Sequence, residues 1–233
     1  MTIVKAENGS TTHIRTKGFE VRQPGLINKI SEKLRDNVAR HDIVIFSGSL
    51  PPGIAETTYS DLIALCNQIG ACVILDTSGV RFLNAISSKP FLVKPNLAEL
   101  LSTFGPNSLK DDEASIMNQM SELARKGITF VAVSLGSKGV LVLDAITSSF
   151  IRGNVSLGTE YAFWKAVGSG DAMLAGFAFA LKNRSGVHEM VRLGVACGAA
   201  NTVSRLMDTN DLDRIKSFQD QARIEIVRKI PPG

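Results

Sequence analysis

Residues 167–171, Val-Gly-Ser-Gly-Asp, combine what is needed to hold an anion and to move a proton. Gly168, Ser169 and Gly170 are small, Asp171 follows at once, and Ala172 to Leu181 is an apolar run rich in Ala and Leu without Pro. That run predicts a buried helix, which makes the glycine-rich segment the turn at its N-terminus. The first N–H groups of a helix have no partner within it and carry the positive end of its dipole. Glycine lets such a backbone come close to a phosphate. A carboxylate in the same turn can take the proton of an attacking hydroxyl, the general-base role in phosphoryl transfer. Read alone, the same residues are equally an ordinary turn with a capping Asp. The rest of the chain decides between the two.

The elements around this turn read as a parallel α/β sheet. Ile43–Phe46, Cys72–Leu75, Phe91–Val93 and Phe130–Val133 are short continuous apolar runs, the pattern of strands buried on both faces. Between them, helical spacing places apolar residues on one face over 56–68, around Phe82, Leu83 and Ile86, over 97–104 and over 112–125. A helix is also expected over 27–39, antiparallel strands over 140–143 and 149–155, a second long helix over 187–203 and a strand over 222–227. Residues 1–22, with the β-branched alternation Thr11 to Thr16, predict a hairpin or an edge strand. Strand, loop and helix in alternation are the signature of a parallel sheet, and ligands bind at the carboxyl ends of its strands. Here those ends carry Gly48-Ser49-Leu50-Pro51-Pro52-Gly53, Asp76-Thr77-Ser78-Gly79, Lys94-Pro95-Asn96 and Ser134-Leu135-Gly136-Ser137-Lys138-Gly139. All four are polar, small or glycine-rich, so a phosphate-bearing ligand is expected.

Other chemistries find little support. There is no G-x-x-x-x-G-K-[ST] loop, no dinucleotide fingerprint and no H-E-x-x-H. His13, His41 and His188 are isolated, and neither Ser49 nor Ser169 lies in a nucleophile elbow. The 233 residues have a net charge of +4 and a pI near 9.0, but Lys and Arg are scattered among acids. Nucleic-acid binding is therefore not expected, and no apolar run reaches membrane-spanning length. Cys66, Cys72 and Cys197 fall in apolar segments without metal spacing. With the polar first residues and no signal peptide, they point to core packing in a reducing, cytoplasmic compartment.

Together these motifs resemble a known family. V-G-S-G-D-A-x-x-A-G at 167–176 is similar to the C-terminal signature of the PfkB group of ribokinase-like kinases, and the four strand-end motifs, with Glu99 after Lys94-Pro95-Asn96, stand in that family's order. The likeness is strongest to the 1-phosphofructokinase and tagatose-6-phosphate kinase branch. It implies one kinase domain over residues 1–233, a three-layer α/β/α fold with a mostly parallel sheet, and ATP-dependent phosphorylation of fructose 1-phosphate or tagatose 6-phosphate. It also implies roles. Asp171 would be the base, and Gly168, Ser169 and Gly170 the anion hole. Ser134, Leu135, Gly136, Ser137, Lys138, Gly139, Gly170, Lys94 and Asn201 would meet ATP, with Ala199, Ala200 and Asn201 lining the adenine pocket. Asn96 and Glu99 would sit near Mg²⁺, partly through water; on their own they also read as a helix cap and a surface acid.

The sequence departs from the family at Lys165-Ala166, where Asn-Thr or similar is usual, and at Val80-Arg81 after Asp76-Thr77-Ser78-Gly79. Nothing matches the family's first strand, most of its β lid, its sugar-binding Asp or its Gly-Gly motif. Residues 1–22 are expected to be the last lid strand and its return. On that reading the chain would bind ATP weakly and turn over little. Two other readings stay open: a non-catalytic kinase-like nucleotide-binding protein, and a kinase of an unphosphorylated sugar. The expected partner is a small phosphosugar, with no nucleic acid, no membrane and a homodimer left open.

Overall fold

The computed structural model describes residues 2–5, 11–14, 18–105, 112–158, 161, 167–204 and 212–229. Strands β1 (Thr2–Lys5) and β2 (Thr11–Ile14) pair antiparallel as a separate ribbon, in keeping with the hairpin expected there. The main sheet has seven strands in chain order: β3 (Ile43–Ser47), β4 (Cys72–Asp76), β5 (Leu92–Val93), β6 (Phe130–Ser134), β7 (Val140–Asp144), β8 (Ser149–Asn154) and β9 (Arg223–Lys229). β3 to β6 run parallel, and β6 to β9 pair antiparallel.

Side chains leave a strand alternately to its two faces, and two cores follow from that period. Val73, Leu75, Val93, Val131 and Val133 point to one face, where Tyr59, Ile63, Phe82, Leu100, Met120 and Leu123 cover them. Those residues come from α2 (Thr58–Ile69), α3 (Gly79–Ile86), α4 (Leu97–Phe104) and α5 (Glu113–Arg125). Ile74, Leu92, Ala132 and Val142 point to the opposite face, under Met173, Leu174, Phe177, Met190 and Val191 of α6 (Ser169–Lys182) and α7 (Val187–Val203). The result is the expected α/β/α layering. Helix α1 (Leu26–Asn37) buries no residue fully and leans on the first core through Leu34.

α6 and α7 meet at glycines. A Cβ on Gly176 would lie 2.9 Å from Gly194 Cα, and one on Gly194 would lie 2.1 Å from Phe177 Cε1. Both approaches are below van der Waals contact, so only glycine permits this spacing. Helix α8 (Leu212–Gln221) was not expected from the sequence. Its apolar residues, Leu212, Ile215 and Phe218, recur every three positions in an otherwise polar segment, and only Phe218 is buried, against Ala196, Ala200 and Val203. Cys66, Cys72 and Cys197 are all unbridged, and burial pushes the Cys72 and Cys197 thiols up to about 11. Among the described residues, no helix is long and apolar enough to cross a membrane.

Candidate active site

The start of α6 is an uncapped helix N-terminus. Gly168 occupies the N-cap in the left-handed region (φ 86°), and no side chain caps the helix. Ala172 N–H donates to Gly168 O at 2.9 Å, but the N–H groups of Ser169, Gly170 and Asp171 take no partner among the described residues. The turn is held from behind: Asn201 of α7 donates through Nδ2 to Val167 O at 3.1 Å and to Ser169 Oγ at 3.3 Å. Asn201 thus positions the backbone of this turn. Ala200 is buried in the packing of α7 with Val203 and Phe218, as a small-residue helix contact requires. Lys165 and Ala166, two of the noted departures from the family pattern, lie outside the described residues.

Strand ends converge on this turn. Asp171 Oδ1 lies 3.5 Å from Ser47 Oγ, the last residue of β3. The loop after β3 is fixed by Gly48 N–H donating to Asp76 O (2.8 Å), Thr77 Oγ1 donating to Gly48 O (2.9 Å) and the Tyr59 hydroxyl donating to Ser47 O and Gly48 O, each at 3.2 Å. Lys94, at the end of β5, is 3% exposed, and its Nζ lies 3.3 Å from Asp76 Oδ2 at the end of β4. A Cβ on Gly170 would sit 3.1 Å from the same Nζ. The Lys94 ammonium therefore lies directly behind the glycine-rich turn and adds its charge to the open N–H groups.

Asp76 is the missed member of this cluster. Burial pushes its carboxyl above the ordinary range, the Lys94 ammonium pulls it down, and the charges of Glu99 and Asp171 push it up again. The signal was available: Asp76 and Lys94 are opposite charges at the ends of neighbouring buried strands, and a buried charge needs a partner.

Asn96 and Glu99 form a capping box on α4. Asn96 Oδ1 accepts from Glu99 N–H at 2.8 Å, and Glu99 Oε2 accepts from Asn96 N–H at 2.9 Å. One oxygen of each side chain is thereby committed to the helix start, while Glu99 Oε1 keeps its lone pairs. Asn96 also bridges to Ser134, which opens the Ser134–Gly139 loop. That loop is closed on itself: Leu135 N–H donates to Gly139 O (2.8 Å) and Gly139 N–H to Gly136 O (3.1 Å), with a 3₁₀ turn over Gly136–Lys138. A Cβ on Gly139 (φ 83°) would fall 2.0 Å from Gly153 O, so the turn demands glycine. Among the described residues, no three carboxylate, His or Cys side chains converge as a metal cage.

Comparison with known proteins matches this arrangement. The model of the pfkB family of carbohydrate kinases matches residues 7–212. A 1-phosphofructokinase of Bacillus subtilis is 31% identical over 208 residues, covering 89% of this chain and 66% of the relative. A 1-phosphofructokinase of Borreliella burgdorferi is 28% identical, covering 94% of this chain and 67% of the relative. The crystal structure of phosphofructokinase-2 from Escherichia coli in complex with potassium superposes with a TM-score of 0.81 at 26% identity, covering 94% of this chain and 69% of that one. The chain spans about two thirds of the length of the curated relatives it matches. With the family model matched from residue 7 to residue 212 and the ribokinase-like layering in place, the chain belongs to the pfkB family of carbohydrate kinases.

Proposed function

We propose that this chain forms the nucleotide-binding and catalytic body of an ATP-dependent phosphosugar kinase, with fructose 1-phosphate as acceptor. One observation carries the reading: the unpartnered N–H groups of Ser169, Gly170 and Asp171 open beside the Lys94 ammonium, with the Asp171 carboxylate in the same turn. The names of the relatives from Bacillus subtilis and Borreliella burgdorferi favour fructose 1-phosphate over tagatose 6-phosphate.

In this reading the anion hole binds the transferring phosphoryl group. Donors already aimed at developing charge cost no reorganisation during reaction, and one such donor is worth about 3 kcal/mol. Lys94 adds a fixed positive charge, held upright by Asp76. Asp171 receives the acceptor hydroxyl proton on its carboxylate, and Ser47 lies close enough to orient that group. The loop from Ser134 to Gly139 borders ATP, with Asn201 supporting the turn from behind. Mg²⁺ fits this donor set as a hydrated ion: Glu99 Oε1 is the free oxygen of the capping box, and Asn96 reaches it only through water. When bound with the nucleotide, the ion neutralises phosphate charge.

The test is coupled ADP release with fructose 1-phosphate and with tagatose 6-phosphate, run beside a calorimetric ATP titration. In a chain of the relatives' full length, Asp171→Asn is expected to leave the ATP Kd within about threefold and to cut kcat by at least about 10²-fold. Turnover by the variant within threefold of the wild type would sink the assignment of the base.

A further inference from the structure

The main sheet ends in a strand built like an interior one. β3 pairs in parallel with β4 on one side, and among the described residues nothing pairs with its other side; β1 and β2 pair only with each other. Asp42 O accepts from Cys72 N–H (2.7 Å) and Gly48 N–H donates to Asp76 O (2.8 Å), so by the two-residue period Val44 and Phe46 also turn their backbone groups toward β4. The N–H and C=O groups of Ile43 and Ile45 then point outward and take no partner among the described residues. Exposed edges are ordinarily guarded by a charge, a proline or a bulge. Ile43-Val44-Ile45-Phe46-Ser47 has none of the three. Both faces beside this edge are apolar and only half covered. α6 runs along β3 in the reverse direction: Asp171 meets Ser47 at 3.5 Å, and Lys182 Nζ lies 3.1 Å from Asp42 Oδ1 at the other end. Between them the outer side of α6 shows Ala175 and Phe179; Phe179 is 66% exposed, and Ile45, on the same face of the sheet, is 41% exposed. On the opposite face Val44 and Phe46 are partly buried, and α1 leaves Ile30 37% exposed.

We propose that the open side of β3 receives one further β-strand, supplied by polypeptide equivalent to the part of the relatives that this chain does not span. The Bacillus subtilis relative has about a third of its length outside the 66% that this chain covers. A second copy fits poorly. Pairing β3 with its own copy would set the two strands about 4.8 Å apart, but each carries α6 along it, and two helices need about 8–10 Å. A strand that arrives with no helix above it meets no such conflict. It completes the ladder from Ile43 and Ile45 and lays apolar side chains beside Phe179 on one face and toward α1 on the other. Main-chain bonds give such strand addition its affinity, and alternate side chains give it specificity. The proposal rests on the family membership and not on the chemistry at Asp171.

The test co-expresses the full chain, tagged, with the unmatched third of the Bacillus subtilis relative as a separate polypeptide. The two should co-purify one to one. The backbone N–H groups of Ile43 and Ile45 should exchange for deuterium at least about tenfold more slowly in the complex than in the chain alone, with those of Val44 and Phe46 changing less. Ile45→Lys puts a charge on the edge. It should abolish co-purification while the circular dichroism of the chain stays unchanged, and Ile45→Val should retain the complex. Failure of the two polypeptides to associate would overturn the proposal. So would a complex that Ile45→Lys leaves intact, or unchanged exchange at Ile45. A dimer of the chain alone in light scattering, lost on Ile45→Lys, would make a second copy the occupant and overturn it as well.

Discussion

Two helices begin at the carboxyl ends of the parallel strands, on opposite faces of the sheet, and treat their first N–H groups in opposite ways. α4 satisfies its own start: Asn96 and Glu99 exchange hydrogen bonds, and the helix end is chemically quiet. α6 has glycine where a capping side chain belongs, and three N–H groups remain open beside a buried lysine. A capping side chain stabilises its helix by roughly a few tenths of a kcal/mol over glycine at the same position. α6 forgoes that contribution, and what it keeps instead is a place for an anion. Within one fold, the difference between structural and functional helix starts is thus a difference in which donors are left unmet.

The largest test of this contrast is Lys94→Ala. It removes the charge behind the α6 turn and leaves Asp76 buried without its partner, so a loss of about 3–5 kcal/mol is expected in urea denaturation. A loss under 1 kcal/mol would mean that the pair is not the electrostatic floor of the site. Gly168→Ala comes next. The left-handed backbone at this position (φ 86°) disfavours any Cβ by about 1–2 kcal/mol, and ATP binding measured by calorimetry should weaken with it. An alanine variant as stable and as tight as the wild type would show that the turn relaxes freely.

The α4 start should respond differently. Asn96→Ala should cost about 1 kcal/mol of stability, whereas Glu99→Gln keeps the hydrogen bond to Asn96 N–H and should change thermal unfolding little. If Glu99 also organises hydrated Mg²⁺, the same Gln variant raises the Mg²⁺ concentration for half-maximal rate; overlaid Mg²⁺ titrations would leave Glu99 as a cap alone.

The smallest effect concerns Asp76. Burial raises its folded-state value above the ordinary one, so the fold favours the neutral carboxyl. That contribution to stability is complete below the ordinary carboxylate value and is lost as pH rises through the raised one. Wild type should therefore lose stability relative to Asp76→Asn as pH rises from about 4. A relative gain would show that Lys94 outweighs burial.

Much of this was legible in the sequence because the parallel strands are continuous apolar runs and the loops are glycine-rich. The run Cys72–Leu75 could hardly be anything but a buried strand, and Gly70 stops the helix before it in the left-handed region (φ 86°) as a C-cap should. Asn96 also read as a helix cap, and it caps α4; Glu99, whose alternative was a surface acid, closes the capping box instead. What stayed illegible has physical causes. α8 shows a weak apolar stripe whose single buried anchor, Phe218, acquires meaning only against α7. The Lys94–Asp76 pair joins residues 18 positions apart, and only the β4–β5 register brings them together. The support that Asn201 gives to the 167–169 turn is likewise a tertiary fact, made by a helix that follows the turn by two elements.

The glycine contact between α6 and α7 also bears on how this sequence can drift. Neither Gly176 nor Gly194 can take even a methyl group while the other side of the contact stays as it is, since the space is already filled by Gly194 Cα and by the Phe177 ring. Single-step replacements at either position are closed: a change at Gly194 must come with one at Phe177, and a change at Gly176 with a shift of the α7 backbone. The scaffold that carries Asp171 on one helix and Asn201 on the other should therefore diverge as a linked unit, slower than the surface helix α1, which buries nothing fully and can change one residue at a time.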